Sequence, residues 1–237
     1  MENPTYLLYS RMWNLLDLIF PPACGGCEKR GEKWCADCDQ ETQAIGIIGC
    51  PRCGNYLKPG QRVCNLCQEY PPVYIQLRSY AHYKGPLRKA IHRLKYRRDI
   101  GLGTVFGNKL AILFNQLNWP IDVVCPVPLS SVRMNQRGYN QAALIALPFA
   151  LESGLKYSSH GLTRVRDTAS QVQLSRTERQ QNVKDAFISN PKYVKNKRVL
   201  VVDDVATTGA TLNACAAALI AGGAKEVFCL TLARAFE

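Results

Sequence analysis

The sequence predicts an α/β protein in which a parallel sheet flanked by helices follows a small zinc-ribbon module. Three observations carry this expectation. Four C-x-x-C pairs lie within the first seventy residues, strand-like and helical segments alternate after them, and "RVLVVDDV" is an aliphatic run without polar alternation. A strand buried on both faces reads as such a run, and strand, crossover helix and strand in series imply a parallel sheet.

At 237 residues and 47% hydrophobic, the chain is long enough for one sizeable core and a satellite module, a domain taking roughly 100–200 residues. The expected division gives residues 1–70 to an N-terminal helix and a double zinc ribbon, and 71–237 to the sheet domain. Between them "QEYPPVY" carries Pro71 and Pro72, which interrupt regular structure. The opening "LLYSRMWNLLDLIF" is broken by Arg11, Asn14 and Asp17, so it reads as a short amphipathic helix, neither export signal nor membrane span. The expected location is therefore the cytoplasm.

The cysteines come next in chain order. Cys24/Cys27, Cys35/Cys38, Cys50/Cys53 and Cys64/Cys67 are four knuckles, and two knuckles complete a tetrahedral tetrathiolate site. Two structural zinc ions are expected. A sequential assignment groups Cys24, Cys27, Cys35 and Cys38 around one ion, and Cys50, Cys53, Cys64 and Cys67 around the other. An interleaved assignment satisfies the spacing too. A disulfide framework would need an oxidising compartment, which the absence of an export signal disfavours. Cys125, Cys215 and Cys229 have no spaced partner and read as buried apolar residues.

Beyond the module, "PLRKAIHRLKY" places Leu87, Ile91 and Leu94 on one helical face, and "GLGTVFGNKLAILFNQL" is a further helix. "IDVVCPVP" is a short strand ended by Pro126 and Pro128. "NQAALIALPFALESG" is helical, with Pro148 expected to kink or divide it. "RVLVVDDV" is a buried strand, "TLNACAAALIAGG" a helix closed by Gly222 and Gly223, and "EVFCLTLAR" the last strand.

Thirty Lys and Arg residues against eighteen Asp and Glu leave a formal charge of +12, which favours phosphate-bearing partners without choosing among them. The chemistry sits in "VLVVDDVATTGAT". Asp203 and Asp204 emerge at the carboxyl end of a buried strand, where ligands of open α/β sheets gather. Ala206, Thr207, Thr208, Gly209, Ala210 and Thr211 then form a small-residue turn into a helix whose free N–H groups suit a phosphate. Carboxylates beside a phosphate cradle fit ribose hydroxyls, or a divalent cation bridging to pyrophosphate. A receiver domain also opens with "VLVVDD", but too few residues follow Asp204 for the rest of that fold.

These thirteen residues resemble the loop that binds 5-phosphoribosyl 1-pyrophosphate (PRPP) in type I phosphoribosyltransferases. With the cysteine knuckles, "YKGPLRKAIHRLKY", "PVPLSSVRMNQRGYNQ" and "RVRDTASQVQLSRTERQQNVKDAF", nearly the whole chain resembles the ComF (ComFC/GntX) family. The resemblance implies a type I phosphoribosyltransferase-like sheet after the zinc module and a role in bacterial DNA uptake during natural transformation, or in use of DNA as nutrient. It implies that Asp203 and Asp204 hold the ribose hydroxyls and that Thr207, Thr208, Gly209 and Thr211 hold the 5′-phosphate, with Mg accompanying PRPP. DNA-uptake or recombination proteins are the implied protein partners, with a peripheral position at the inner membrane through them.

Arg133 and Arg137 follow the first sheet strand, where such enzymes keep a pyrophosphate loop, and a guanidinium grips phosphate oxygens bidentately. A solvated surface face is the alternative for both. The polar stretch holding Arg164, Arg166, Gln171 and Arg179 has the length of a mobile lid. From Arg78 to Arg98, basic residues alternate with Tyr80, Tyr83 and Tyr96, a mixture suited to single-stranded DNA or to a plain charged helix face. Two functions remain open at this point: an accessory factor that binds PRPP and single-stranded DNA, and an active phosphoribosyltransferase acting on an unidentified base or nucleotide.

Overall fold

The structure, a computed structural model, describes residues 21–47, 49–166, 182–183 and 185–236. The expected N-terminal helix, Gln171 and Arg179 lie outside the described residues.

Five parallel strands form the sheet: β1 (Gln76–His82), β2 (Val123–Pro126), β3 (Lys156–Tyr157), β6 (Arg198–Ala206) and β7 (Glu226–Arg234), in the order β1-β7-β6-β2-β3. A small antiparallel hairpin, β4 (Leu162–Arg164) and β5 (Phe187–Ser189), stands apart. Successive side chains of a strand point to opposite faces. On β6, Val199 and Val201 accordingly enter one core with Leu212, Cys215 and Leu219 of α8 (Ala210–Ala221). Leu200 and Val202 enter the other, built on α3 (Gly85–Tyr96), α4 (Leu102–Phe114) and α6 (Gln141–Glu152). Both faces are covered, which is why the strand shows no alternation in sequence.

Proline 148 does not divide its helix. α6 runs unbroken from Gln141 to Glu152. The missing N–H would have paired with the Leu144 carbonyl, and that oxygen instead faces Gly103 of α4, where a Cβ would approach to 2.5 Å. A Cβ at Gly107 would come within 2.8 Å of Pro148 and Phe149, so the two glycines let α4 pack directly over this turn of α6.

The basic stretch begins, contrary to expectation, in the sheet. "QLRSYAH" is β1, an edge strand whose outer side is covered by the segment after the first ribbon: Tyr80 O accepts from Ile45 N at 3.0 Å and His82 N donates to Gln43 O at 2.9 Å. Two short helices, α1 (Ala36–Glu41) and α2 (Asn65–Glu69), each start just after a knuckle cysteine, Cys35 and Cys64. At the other end of the sheet, Ser130 caps α5 (Ser131–Arg137), Gly138 ends it at φ +80°, and Asn140 caps α6 by accepting from Ala142 N at 2.9 Å.

Candidate functional site

The eight knuckle cysteines gather as two sets, Cys24, Cys27, Cys35 and Cys38, and Cys50, Cys53, Cys64 and Cys67, with the sulfurs of each set within 4.8 Å of one another. All eight are free thiols. Cys27 Sγ and Cys35 Sγ are 3.6 Å apart, and Cys53 Sγ and Cys64 Sγ 3.5 Å. Four Zn–S bonds of about 2.3 Å at tetrahedral angles require sulfurs about 3.8 Å apart, whereas a disulfide needs about 2 Å. Both sets therefore fit structural zinc, with no position left for a substrate water. The chain order is sequential, each ribbon closing on its own pair of knuckles.

The carboxyl ends of β2 and β6 open into a cleft of about 830 Å³. Asp203, Asp204, Ala206, Thr207, Gly209, Ala210 and Thr211 form one wall, and Tyr83, His92, Lys95, Tyr96 and Arg98 come from α3 and the turn on either side of it. Arg133 and Arg137 of α5 line it as well, and Arg164 reaches it from β4. Thr208 is not part of the lining; its Oγ1 accepts from Ala210 N at 3.4 Å, steadying the turn. Gly209 adopts φ +81°, the left-handed conformation that glycine takes without strain, and its missing Cβ would lie 3.2 Å from Tyr74 Oη. Gly209, the N-cap of α8, has no side chain to cap it, and Gly209, Ala210 and Thr211 line the cleft, so the positive end of the helix dipole lies in its wall.

The two acids are not equivalent, because strand alternation sends them to opposite faces. Asp204 turns towards α3 and α6, where its Oδ2 pairs with Lys95 Nζ and its Oδ1 accepts from Gln141 Nε2 at 3.4 Å. Gln141 Oε1 in turn accepts from Arg137 Nη1 at 2.7 Å, and the Arg137 guanidinium lies 5.0 Å from the Tyr96 ring centroid. Burial acts to raise the Asp204 carboxyl, but Lys95 overrides it and holds the group below the usual carboxylate range. Asp203 accepts from the Asp204 amide at 2.9 Å. Burial first, and the adjacent Asp204 charge second, push its carboxyl well above that range.

Lys95 and Gln141 escaped the sequence reading. Lys95 falls within the basic segment Arg78–Arg98, yet it continues the row Leu87–Ile91 at four-residue spacing and so belongs to the inward face of α3. Gln141, only 5% exposed, carried no local signal, since its partner Asp204 is 63 residues away. Arg78 also left the expected surface. It is 8% exposed in β1, and its Nη1 donates to Leu77 O, Pro51 O and Cys50 O at 2.9, 3.2 and 3.4 Å. Arg166 turns from the cleft to donate to Asn182 O at 3.1 Å.

Comparison with known proteins agrees with this geometry. The phosphoribosyl transferase domain family matches residues 105–236, and the double zinc ribbon domain family residues 15–68. The DNA utilization protein YhgH of Salmonella typhimurium is 35% identical over 190 residues, covering 76% of this chain and 82% of that protein. Competence protein F of Haemophilus influenzae is 30% identical over 85% of this chain and 90% of that protein. Competence protein ComFC of Bacillus subtilis is 29% identical over 87% and 86%. Fold and clusters thus define a phosphoribosyltransferase-fold protein that carries a double zinc ribbon. The chain belongs to the ComF family. Among the described residues no helix is long and apolar enough to cross a membrane.

Proposed function

We propose that this ComF-family protein binds PRPP, with magnesium, in the cleft and single-stranded DNA beside it, and acts in DNA uptake or DNA utilisation. The observation that carries the reading is the meeting, in one cleft, of a buried acid pair, a helix N-terminus with glycine at the N-cap and four guanidinium-bearing residues, Arg98, Arg133, Arg137 and Arg164. A phosphorylated sugar presents hydroxyls to the acids, its 5′-phosphate to the amides of Gly209–Thr211, and its pyrophosphate to the arginines. Asp203, whose oxygens are not taken by Lys95 or Gln141, is the carboxylate best disposed towards ribose or a ribose-bound magnesium ion. That ion would supply charge neutralisation to the pyrophosphate.

The DNA arm of the reading rests on the outer side of α3. Arg88, Lys89, His92, Tyr96 and Arg98 are exposed there, and a second cleft of about 710 Å³ continues from Tyr83 and His92 towards the first ribbon. Cations that follow phosphates and rings that stack bases are the usual means of holding single strands. Relatives named for competence and for DNA utilization point to the same use. We further propose a division at about residue 70, since the zinc-ribbon match ends at residue 68 and β1 already belongs to the sheet.

Titration of PRPP with magnesium into the purified protein tests the pocket. Asp203→Asn with Asp204→Asn should weaken binding at least tenfold, and equal affinities for parent and double variant would sink the assignment. The second reading, an active phosphoribosyltransferase, is favoured by Arg133 and Arg137 lining the same cleft as the acids, where departing pyrophosphate needs neutralising. Release of pyrophosphate that depends on one added base selects it; silence with salt-sensitive binding of single strands selects the accessory factor.

A further inference from the structure

Two buried cations of the sheet, Arg78 of β1 and Arg234 of β7, have no carboxylate to balance them. Arg78 is 8% exposed and Arg234 4% exposed. Nε of Arg78 and both Nε and Nη1 of Arg234 are buried without a hydrogen-bond partner, and among the described residues neither arginine has an ion-pair partner. An unpaired guanidinium inside a protein is costly, so a counter-charge is expected within reach. Arg78 lies against the first knuckle of this ribbon, donating to the carbonyls of Cys50 and Pro51. Arg234 ends β7, 5.9 Å from the Phe236 ring, which packs at 4.7 Å on Tyr56 of the same ribbon.

Charge bookkeeping identifies the missing partner. A zinc ion with four thiolates carries a net charge of about −2. We propose that Arg78 and Arg234 are the built-in counter-charge of the second zinc centre, one guanidinium for each unit of its excess negative charge. The first centre is arranged otherwise. Arg93, which donates to Cys24 O at 3.4 Å as Arg78 does to Cys50 O, is balanced by Asp99 at 2.9 Å and Glu28 at 3.3 Å, and Lys109 by Asp39 at 2.6 Å. Cys27 of the first centre is exposed, so water screens that centre, whereas all four cysteines of the second are buried.

The test is zinc release from the intact chain to a chromophoric chelator, resolved into two phases, with Cys27→Ser used to mark the phase that belongs to the first centre. Arg78→Gln and Arg234→Gln should each speed the second-centre phase about tenfold or more and leave the first unchanged, while Arg234→Lys stays within about threefold of the parent. No change in either phase, or an equal change in both, overturns the proposal. Should a Gln variant not fold, the parent protein decides: on acidification the second centre should keep its zinc to lower pH than the first, and earlier release from the second centre overturns the assignment.

Discussion

The two ribbons share one cysteine spacing and are fastened to the sheet domain in different ways. The first is held by side chains on helices: Trp34 meets Phe106 edge-on at 6.1 Å, Asp39 pairs with Lys109, and Gly25 and Gly26 press so closely on Leu102, Ala90 and Pro86 that a Cβ at Gly26 would come within 2.6 Å of Pro86. The second is held by backbone to the sheet edge: Leu77 N donates to Arg52 O at 2.7 Å, and Arg78 feeds two carbonyls of the knuckle. Spacing fixes the metal, and the surroundings fix what the metal supports. The first centre braces α3, which carries Lys95 and the aromatic wall of the cleft, whereas the second braces β1 and, through Tyr74 beside Gly209, the floor of the phosphate turn.

Removing each centre in turn is the strongest way to break this contrast. Structural zinc contributes on the order of 10 kcal/mol of apparent binding free energy, so Cys53→Ser with Cys67→Ser should lower stability to denaturant by several kcal/mol and expose Arg78 and Arg234 without a counter-charge. Cys24→Ser with Cys38→Ser should cost less, because the Trp34 and Asp39 contacts survive and Cys27 is already in water. Denaturation curves in guanidinium chloride check the order; a larger loss from the first pair would mean that helix contacts, and not the strand edge, anchor the module.

The next effect separates the arm braced by the first ribbon from the sheet itself. Lys95→Met removes one partner of a buried ion pair and leaves Asp204 with Gln141 alone, which should cost about 3–5 kcal/mol. Urea unfolding of the variant would show it, and a cost below about 1 kcal/mol would make Lys95 a solvated lysine that merely passes near the acid.

Much of this was legible in the sequence, and what escaped it has one physical cause. The C-x-x-C knuckles and the Val199–Thr211 stretch are local devices: each places its ligand groups through the bond geometry of a few neighbouring residues. Lys95, Gln141 and β1 are different, since their environment comes from chain far away. β1 is buried because the ribbon segment covers its edge, and Arg78 is inside because knuckle carbonyls meet it 27 and 28 residues upstream. Periodicity around Arg78 or Lys95 carries the charge of the side chain and nothing about the partner that tolerates it. Pro148 does not divide its helix, and the glycines that lie over it, Gly103 and Gly107, belong to another helix.

The smallest expected effect distinguishes the two acids by the faces they take. Asp204 is held ionised by α3, so its contribution is present at neutral pH and lost only as pH falls below the ordinary carboxylate value of 3.8. Asp203 has the opposite sign. Its folded-state value lies well above 3.8, so the fold binds that proton more tightly than the unfolded chain does; the associated stability is complete below 3.8 and is lost as pH rises through the raised value. Asp203 therefore leaves the fold less stable at neutral pH than in acid. Asp203→Asn keeps an oxygen to accept from the Asp204 amide and removes the charge, so its melting temperature should exceed the parent's at neutral pH, by about 2–4 °C for each kcal/mol relieved, with the gain shrinking as the buffer is acidified. A variant that gains nothing at neutral pH, or gains most in acid, would show that the two carboxyls share one environment and that strand alternation does not divide their roles.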